Sequence, residues 1–263
     1  MTEMKLNVVE ADLARIQPLR ALFLQEANFQ VRYNACHERG WTDSYLLTSR
    51  DVEIGYGAIK GQELKDRDTV FEFYVIPPFR KHASWLFGKL LSASKAEHIE
   101  CQSNDLLLTA MLFEFARNIH ADVVLFEHHV ATEHVHPGAV FRPRRHDDRI
   151  FEHTVEPVGE YVLELKGEVV ATGGFLLHYN PPFADLYLEV KKNHQRKGAG
   201  SFLVQEIIKQ CYLAARVPAA RCSVRNTASR AALAKAGLRV CGFMLLGDVR
   251  TGEGGTASAT GLP

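Results

Sequence analysis

The stretch Asn193-His194-Gln195-Arg196-Lys197-Gly198-Ala199-Gly200-Ser201 follows the apolar run Leu186 to Val190 and opens the amphipathic stretch Phe202 to Tyr212. This order predicts a strand, a tight glycine-containing turn and a helix N-terminus. In such an arrangement several backbone N–H groups converge on one point, where an anion gains hydrogen bonds and the positive end of the helix dipole. Gly198 and Gly200 omit the side chains that would stand between those amides and a phosphate. The pattern is Q-x-x-G-x-G, which is neither the Walker pattern nor the three-glycine dinucleotide fingerprint. Short glycine turns also join strands to helices with no ligand at all.

The wider segment narrows the reading. After Val190, Gln195-x-x-Gly198-x-Gly200 and the helix come the strand Ala220 to Val224, then Asn226-x-x-Ser229, then Leu233-x-Lys235-Ala236-Gly237-Leu238. In this order and spacing, the chain from about residue 160 to 250 resembles the acetyl-CoA site of the GNAT superfamily of N-acetyltransferases. The resemblance implies an α/β (α+β) fold with a splayed, mixed sheet flanked by helices, and acetyl-CoA as co-substrate. It implies pyrophosphate on Gln195, Arg196, Lys197, Gly198, Ala199, Gly200 and Ser201, and a pantetheine arm pairing with the strand backbone at Leu188 and Val190. Asn226 and Ser229 match positions that contact pantetheine and CoA, although the same residue types suit simple helix capping. The implied reaction moves acetyl from acetyl-CoA to a primary amine of a small molecule or peptide, in a ternary complex. The rival reading is a catalytically silent acyl-CoA binding or sensing protein.

An amine must lose a proton to attack, so a base is expected within reach. Asp185 and Glu189 are the candidates, since period-two alternation puts both on the face of Tyr187, opposite Leu186, Leu188 and Val190. They fit equally the polar face of a half-exposed strand. Many family members carry a tyrosine late in the second motif to protonate the leaving thiolate, and this chain has Leu233 there. Tyr187, Tyr179 and His178 are the substitutes nearest in sequence, and the acidity of a thiol also tolerates unassisted departure.

The motif-bearing unit has a partner upstream. Glu53 to Ile59, Thr69 to Val75 and Ile76-Pro77-Pro78-Phe79-Arg80-Lys81-His82-Ala83-Ser84-Trp85-Leu86-Phe87 repeat the order of Glu168 to Leu177, Phe183 to Val190 and Lys191 to Leu203. Two tandem GNAT-like units follow. Aligning Val75 with Val190 sets Arg80 opposite Gln195, Ala83 opposite Gly198 and Trp85 opposite Gly200; a one-residue shift pairs the two Arg-Lys steps instead. Neither register keeps the glycines, so the first copy reads as degenerate. It keeps early helices, Asp12 to Phe29 with Asp12 as cap and a following stretch to Arg39, whereas Ile150 to Leu165 reads as strand and turn. The expected divisions are 1–127 for the degenerate unit, 128–149 for a connecting segment, 150–250 for the acetyl-CoA-binding unit and 251–263 for a mobile tail of small residues. Val140-Phe141 is expected to add an edge strand to the first sheet, and the first half to pack where the second lacks helices.

Composition excludes other classes. Among 263 residues, Lys plus Arg number 31 and Asp plus Glu 31, so no electrostatic footprint argues for nucleic acid. No apolar run approaches membrane-spanning length and the N-terminus lacks a signal-peptide core, so a cytoplasmic protein with no membrane partner is expected, with oligomerisation left open. The five cysteines show no paired spacing and read as reduced thiols. His128, His129, His134 and His136 cluster, but no Cys or acidic residue completes a ligand set, so no metal is expected; lining an acceptor cleft is their other reading. The loop His178 to Phe183 is expected either to rim that cleft or to pack as a plain connection.

Overall fold

The structure is a computed structural model and describes residues 5–27, 29–30, 34–61 and 66–250. The tail from Thr251 lies outside the described residues. In chain order the elements are β1 (Leu6–Ala11), α1 (Leu13–Glu26), α2 (Asn34–Glu38), β2 (Thr42–Ser49), β3 (Val52–Lys60), β4 (Thr69–Val75), a 3-10 turn (Pro77–His82), α3 (Ala83–Ser94), β5 (His98–Gln102), α4 (Leu106–Phe115) and β6 (Ala116–His128). Then follow β7 (Ala139–Pro143), β8 (Tyr161–Leu165), β9 (Glu168–Leu176), β10 (Phe183–Val190), a second 3-10 turn (Lys192–His194), α5 (Ala199–Leu213), β11 (Val217–Ser223), α6 (Thr227–Lys235) and β12 (Leu238–Val249).

All twelve strands join one sheet in the order β1-β2-β3-β4-β5-β12-β6-β11-β10-β9-β8-β7. The repeat is visible in it: β3-β4-turn-α3-β5-α4 recurs as β9-β10-turn-α5-β11-α6. The closing strands, however, are exchanged. β6, which ends the first repeat, pairs with β11 of the second, and β12, which ends the second, pairs with β5 of the first. The two exchanged strands then pair with each other along most of their length. The halves are thus hydrogen-bonded into one mixed sheet flanked by helices, the α/β class expected from the sequence.

Each half keeps its own core. Leu203, Val204, Ile207, Ile208 and Cys211 recur on one face of α5 and bury against Leu163, Val170, Ala184 and Leu186. Leu86, Phe87 and Leu90 of α3 do the same against Phe73 and Ile99. Each such buried side chain contributes about 1.5–3 kcal/mol relative to exposure. A third cluster seats α1 through Ile16, Leu19 and Phe23 on Tyr56 and Tyr74. Asp12 precedes α1, but its side chain makes no capping hydrogen bond.

Two expectations are corrected. Val140 and Phe141 lie in an edge strand, but β7 pairs with β8 at the far end of the second half, not with the first sheet. The pairing is fixed by Arg142 on β7, which bonds Glu164 on β8 at 2.7 Å and Asp148 in the connection between them at 2.6 Å. The face of the second half that lacks helices is covered by the segment 150–160, not by the first half: His153 Nε2 sits 2.6 Å from Thr172 Oγ1, and Gly159 packs on the backbone of Gly173.

Candidate active site

β10 and β11 run parallel and pair only from Phe183↔Val217 to Leu186↔Ala220. Beyond Leu186 they part, leaving the β10 backbone from Tyr187 to Val190 paired on the β9 side alone. A cleft of about 750 Å³ opens in the gap. Its floor is Tyr187 to Val190 and Arg221 to Ser223; Gln195, Arg196, Gly198, Gly200 and Ser201 line one end and Thr154, Val155 and Glu156 the other.

At the first end the chain turns through Arg196 at φ 60° and Gly198 at φ 88° before α5 begins. Left-handed residues alternating with ordinary ones aim successive amides inward, making a nest for an anion. No peptide N–H from Arg196 to Ser201 donates to a protein acceptor among the described residues. A methyl group at Gly198 would meet only the His136 ring, 3.9 Å away, so the approach to these amides is open. Gly200 differs: a methyl there would touch Val190 and Leu188 at 3.4 and 3.5 Å, so this glycine also lets α5 sit close on β10. Ala199 buries its methyl in the core and offers only its amide, and Lys197 points to a neighbouring recess. These residues fit a pyrophosphate, and the floor fits a pantetheine arm. Asn226 and Ser229 line the same cleft, and the Asn226 side chain caps α6 by accepting from Ser229 N at 3.0 Å.

The first half shows what a closed version looks like. β4 and β5 also part after two paired positions, Thr69↔His98 and Val70↔Ile99. Arg80 Nε donates to Val75 O at 3.0 Å just as Gln195 Nε2 donates to Val190 O at 3.1 Å, which fixes the register with Arg80 opposite Gln195. Pro77 and Pro78 carry no N–H, Ala83 is buried, and Trp85 stands where Gly200 would be.

At the second end Glu189 and Glu156 line the cleft, while Asp185, on the same strand as Glu189, is buried. Glu189 accepts from Thr154 N at 2.9 Å, Thr154 Oγ1 at 3.0 Å, Val155 N at 3.2 Å and Glu156 N at 2.9 Å. Burial works against its charge, but the backbone donors of Glu156, Thr154 and Val155 outweigh it and hold the carboxyl below the usual range. Asp185 is buried, with His178 Nε2 3.0 Å away and Arg221 Nε 3.7 Å away. Glu156 was not singled out from sequence. It is half-buried on the cleft wall, and burial, then the charges of Asp185 and Glu189, push its proton affinity up, partly offset by Arg221. A loop glutamate 33 positions before Glu189 gives no sequence signal; its place comes from the Glu189 clamp.

Of the three substitutes for the missing tyrosine, Tyr187 lines the cleft. Its hydroxyl stays protonated, since burial and the Glu160 charge raise its pKa. Tyr179 is buried with Leu125, Phe183 and Met244, so the loop 178–183 packs instead of rimming the cleft. Leu233 is buried in the core under α6. The histidine cluster disperses: His128 Nδ1 lies 2.7 Å from Tyr212 Oη, while His134 and His136 line the recess outside the glycine turn. Among the described residues no group of three metal-ligating side chains comes together, and no helix is long and apolar enough to cross a membrane.

Comparison with known proteins agrees with this geometry. Residues 125–238 match the model of the acetyltransferase (GNAT) family. No curated protein matches the chain. Among solved structures, a GNAT-family acetyltransferase from Colwellia psychrerythraea superposes with a TM-score of 0.67 at 12% identity, covering 94% of this chain and 100% of that one. A GCN5-related N-acetyltransferase from Sphaerobacter thermophilus gives 0.59 at 13% identity, covering 94% and 97%. A tandem GNAT protein from the clavulanic acid biosynthesis pathway gives 0.57 at 11% identity, covering 95% and 100%. At these identities the likeness is one of fold, and it extends over both halves.

Proposed function

We propose that this chain, whose residues 125–238 match the acetyltransferase (GNAT) family, transfers acetyl from acetyl-CoA to a primary amine of a small molecule or peptide, both bound at once. The observation that carries this is the parting of β10 and β11 beside an open nest of unpaired amides. One continuous cleft then leads from an anion site to a cluster of carboxylates.

The thioester supplies an activated acetyl carbon, at which the amine nitrogen displaces sulfur. The chain's own groups do the rest. Amides of Arg196 to Ser201 hold the diphosphate, with Gln195 bracing the turn. Unpaired backbone of β10 at Leu188 and Val190 aligns the pantetheine arm and offers N–H groups to the carbonyl oxygen. Glu189 and Glu156 line an anionic end of the cleft that draws in an ammonium ion, with the charge of buried Asp185 close by. Glu189 is spent on the backbone of 154–156 and Asp185 is buried beside His178 and Arg221, so Glu156 is the carboxylate left to take the amine's proton. Tyr187 lines the cleft and is the O–H donor assigned to the leaving thiolate.

The test is isotope-labelled acetyl transfer to a panel of amines, alongside calorimetric binding of CoA. Binding with transfer supports the enzyme. Binding with no transfer to any amine supports the acyl-CoA sensor, and no binding removes both. The domain divisions at 127 and 149, a cytoplasmic location and acceptors free of nucleic acid belong to the same proposal.

A further inference from the structure

A second recess of about 210 Å³ adjoins the glycine turn on its outer flank. One wall is Lys197, Gly198, Ser201 and Phe202; the opposite wall is the segment 134–137, with Lys235 at the rim. That segment comes from the crossing between the halves, and its course is fixed at two places. His129 N and Val130 N both donate to Gly237 O, at 3.0 and 3.1 Å. Further on, Gln205 Oε1 accepts from Thr132 Oγ1 at 2.8 Å and His134 N at 2.7 Å, while Gln205 Nε2 donates to His134 O at 3.1 Å. Gln205 is buried in α5, where an unbonded amide would be costly. It spends both ends on the crossing segment, mimicking a neighbouring strand.

The wall so held is chemically one-sided. Lys197 and Lys235 face the recess without a carboxylate at ion-pair distance among the described residues. His136 also lines the recess, and its Nδ1, shielded from solvent, has no hydrogen-bond partner among the described residues. Gly198, Ser201 and Lys235 border both this recess and the large cleft, so a molecule lying on the glycine turn reaches into it without a break.

We propose that the recess takes a phosphate monoester, the ribose 3′-phosphate at the nucleotide end of CoA, with Lys235, Lys197 and His136 as its partners. This rests on the reading of the main cleft as a CoA site. The volume is small for a nucleoside and adequate for one phosphate group, and two lysine ammonium groups suit a dianion as point charges. The crossing segment thereby becomes part of the nucleotide site.

The experiment is calorimetric titration of the full chain with CoA and with 3′-dephospho-CoA, repeated on His136→Ala/Lys235→Ala. Expected is at least tenfold weaker binding of dephospho-CoA by the unmodified protein, and a ratio falling to within about threefold in the double variant. Equal affinity of the two forms for the unmodified protein overturns the proposal and leaves the main cleft's assignment standing. A preference that survives the double substitution also overturns it, by placing the phosphate elsewhere. Failure of both forms to bind overturns the cleft assignment and the proposal together. Should the double variant misfold, competition by 3′,5′-ADP against 5′-ADP on the unmodified protein decides: equal inhibition removes the proposal and stronger inhibition by the bisphosphate supports it.

Discussion

Glu189 on β10 accepts from the peptide nitrogen of Glu156 at 2.9 Å, so one glutamate fixes the position of another at the same end of the cleft. The two carboxyls have opposite proton affinities, and this separates their roles experimentally. Glu156→Gln is expected to lower kcat about 100-fold, the lower end of what general base catalysis contributes, with CoA affinity unchanged. Its raised folded pKa means that stability is greatest below the ordinary glutamate pKa and declines as pH rises through the folded value, so the Gln variant should be at least as stable at neutral pH. The acid limb of the kcat/KM profile should lie above an ordinary glutamate and vanish in the variant; an unchanged limb assigns the base elsewhere.

Glu189→Gln is expected to act through the loop instead. A depressed folded pKa stabilises the anchored loop above the ordinary glutamate pKa and is lost as pH falls through the folded value. In the variant, hydrogen exchange at Thr154 to Glu156 should accelerate at neutral pH and the acceptor's KM should rise more than kcat falls.

Gly198→Val should raise the CoA dissociation constant at least tenfold, about 1.4 kcal/mol, because a branched residue at φ 88° both strains the turn and covers the amides. The equivalent change in the first half, Ala83→Val, should leave CoA affinity nearly unchanged. Ala83 is buried beside Leu86 and Phe87, so that variant should instead lose about 1–3 kcal/mol of stability by overpacking. Equal effects on affinity would contradict the division of labour between the halves.

Gly159→Ala tests the roof of the acceptor end. A methyl at this position would fall 2.1 Å from Gly173 O, a backbone atom that has no room to yield. The segment 150–160 should shift outward, and transfer should fall while CoA binding persists; calorimetry and turnover on one preparation check both.

Deep in the first half, Glu72 is fully buried, held by Arg20 Nε and Nη2 at 2.9 Å each, by Tyr56 Oη at 3.0 Å and facing His37 Nε2 at 3.1 Å. Burial alone would raise its pKa, but the charge of Arg20 and the hydrogen bonds from His37 and Arg20 carry it far below the usual range. Glu72→Gln leaves the buried guanidinium without its counter-charge and should cost about 3–5 kcal/mol, read as a lower urea midpoint. A cost under 1 kcal/mol would show that Asn34, which accepts from Arg20 Nη1, suffices.

The glycine turn and the repeat were legible in the sequence because each is written in adjacent residues: the apolar run, then Gly198 and Gly200, then the periodicity of α5; the parting of the strand before the turn was implied only by the family resemblance. Arg80 and Gln195 even retain the same bond to the strand they follow. What was not legible depends on pairing across distance. β6 and β12 look alike as alternating strands, and nothing local says that each completes the other half. β7 was assigned to the first sheet on chain proximity, while the pairing that decides its place lies with β8. Glu156 escaped for the same reason, since only the fold brings the loop 154–156 onto the Glu189 carboxylate.

The exchange of β6 and β12 also orders events during synthesis. The seam beside β5 can be sealed only by a strand that leaves the ribosome after the whole second repeat, so the earlier-made half must wait with an open edge until translation has passed Val249. Maturation of either half is then a property of the entire polypeptide, and a nascent chain halted before Leu238 would present bare hydrogen-bonding groups to any chaperone or neighbouring strand that met it first.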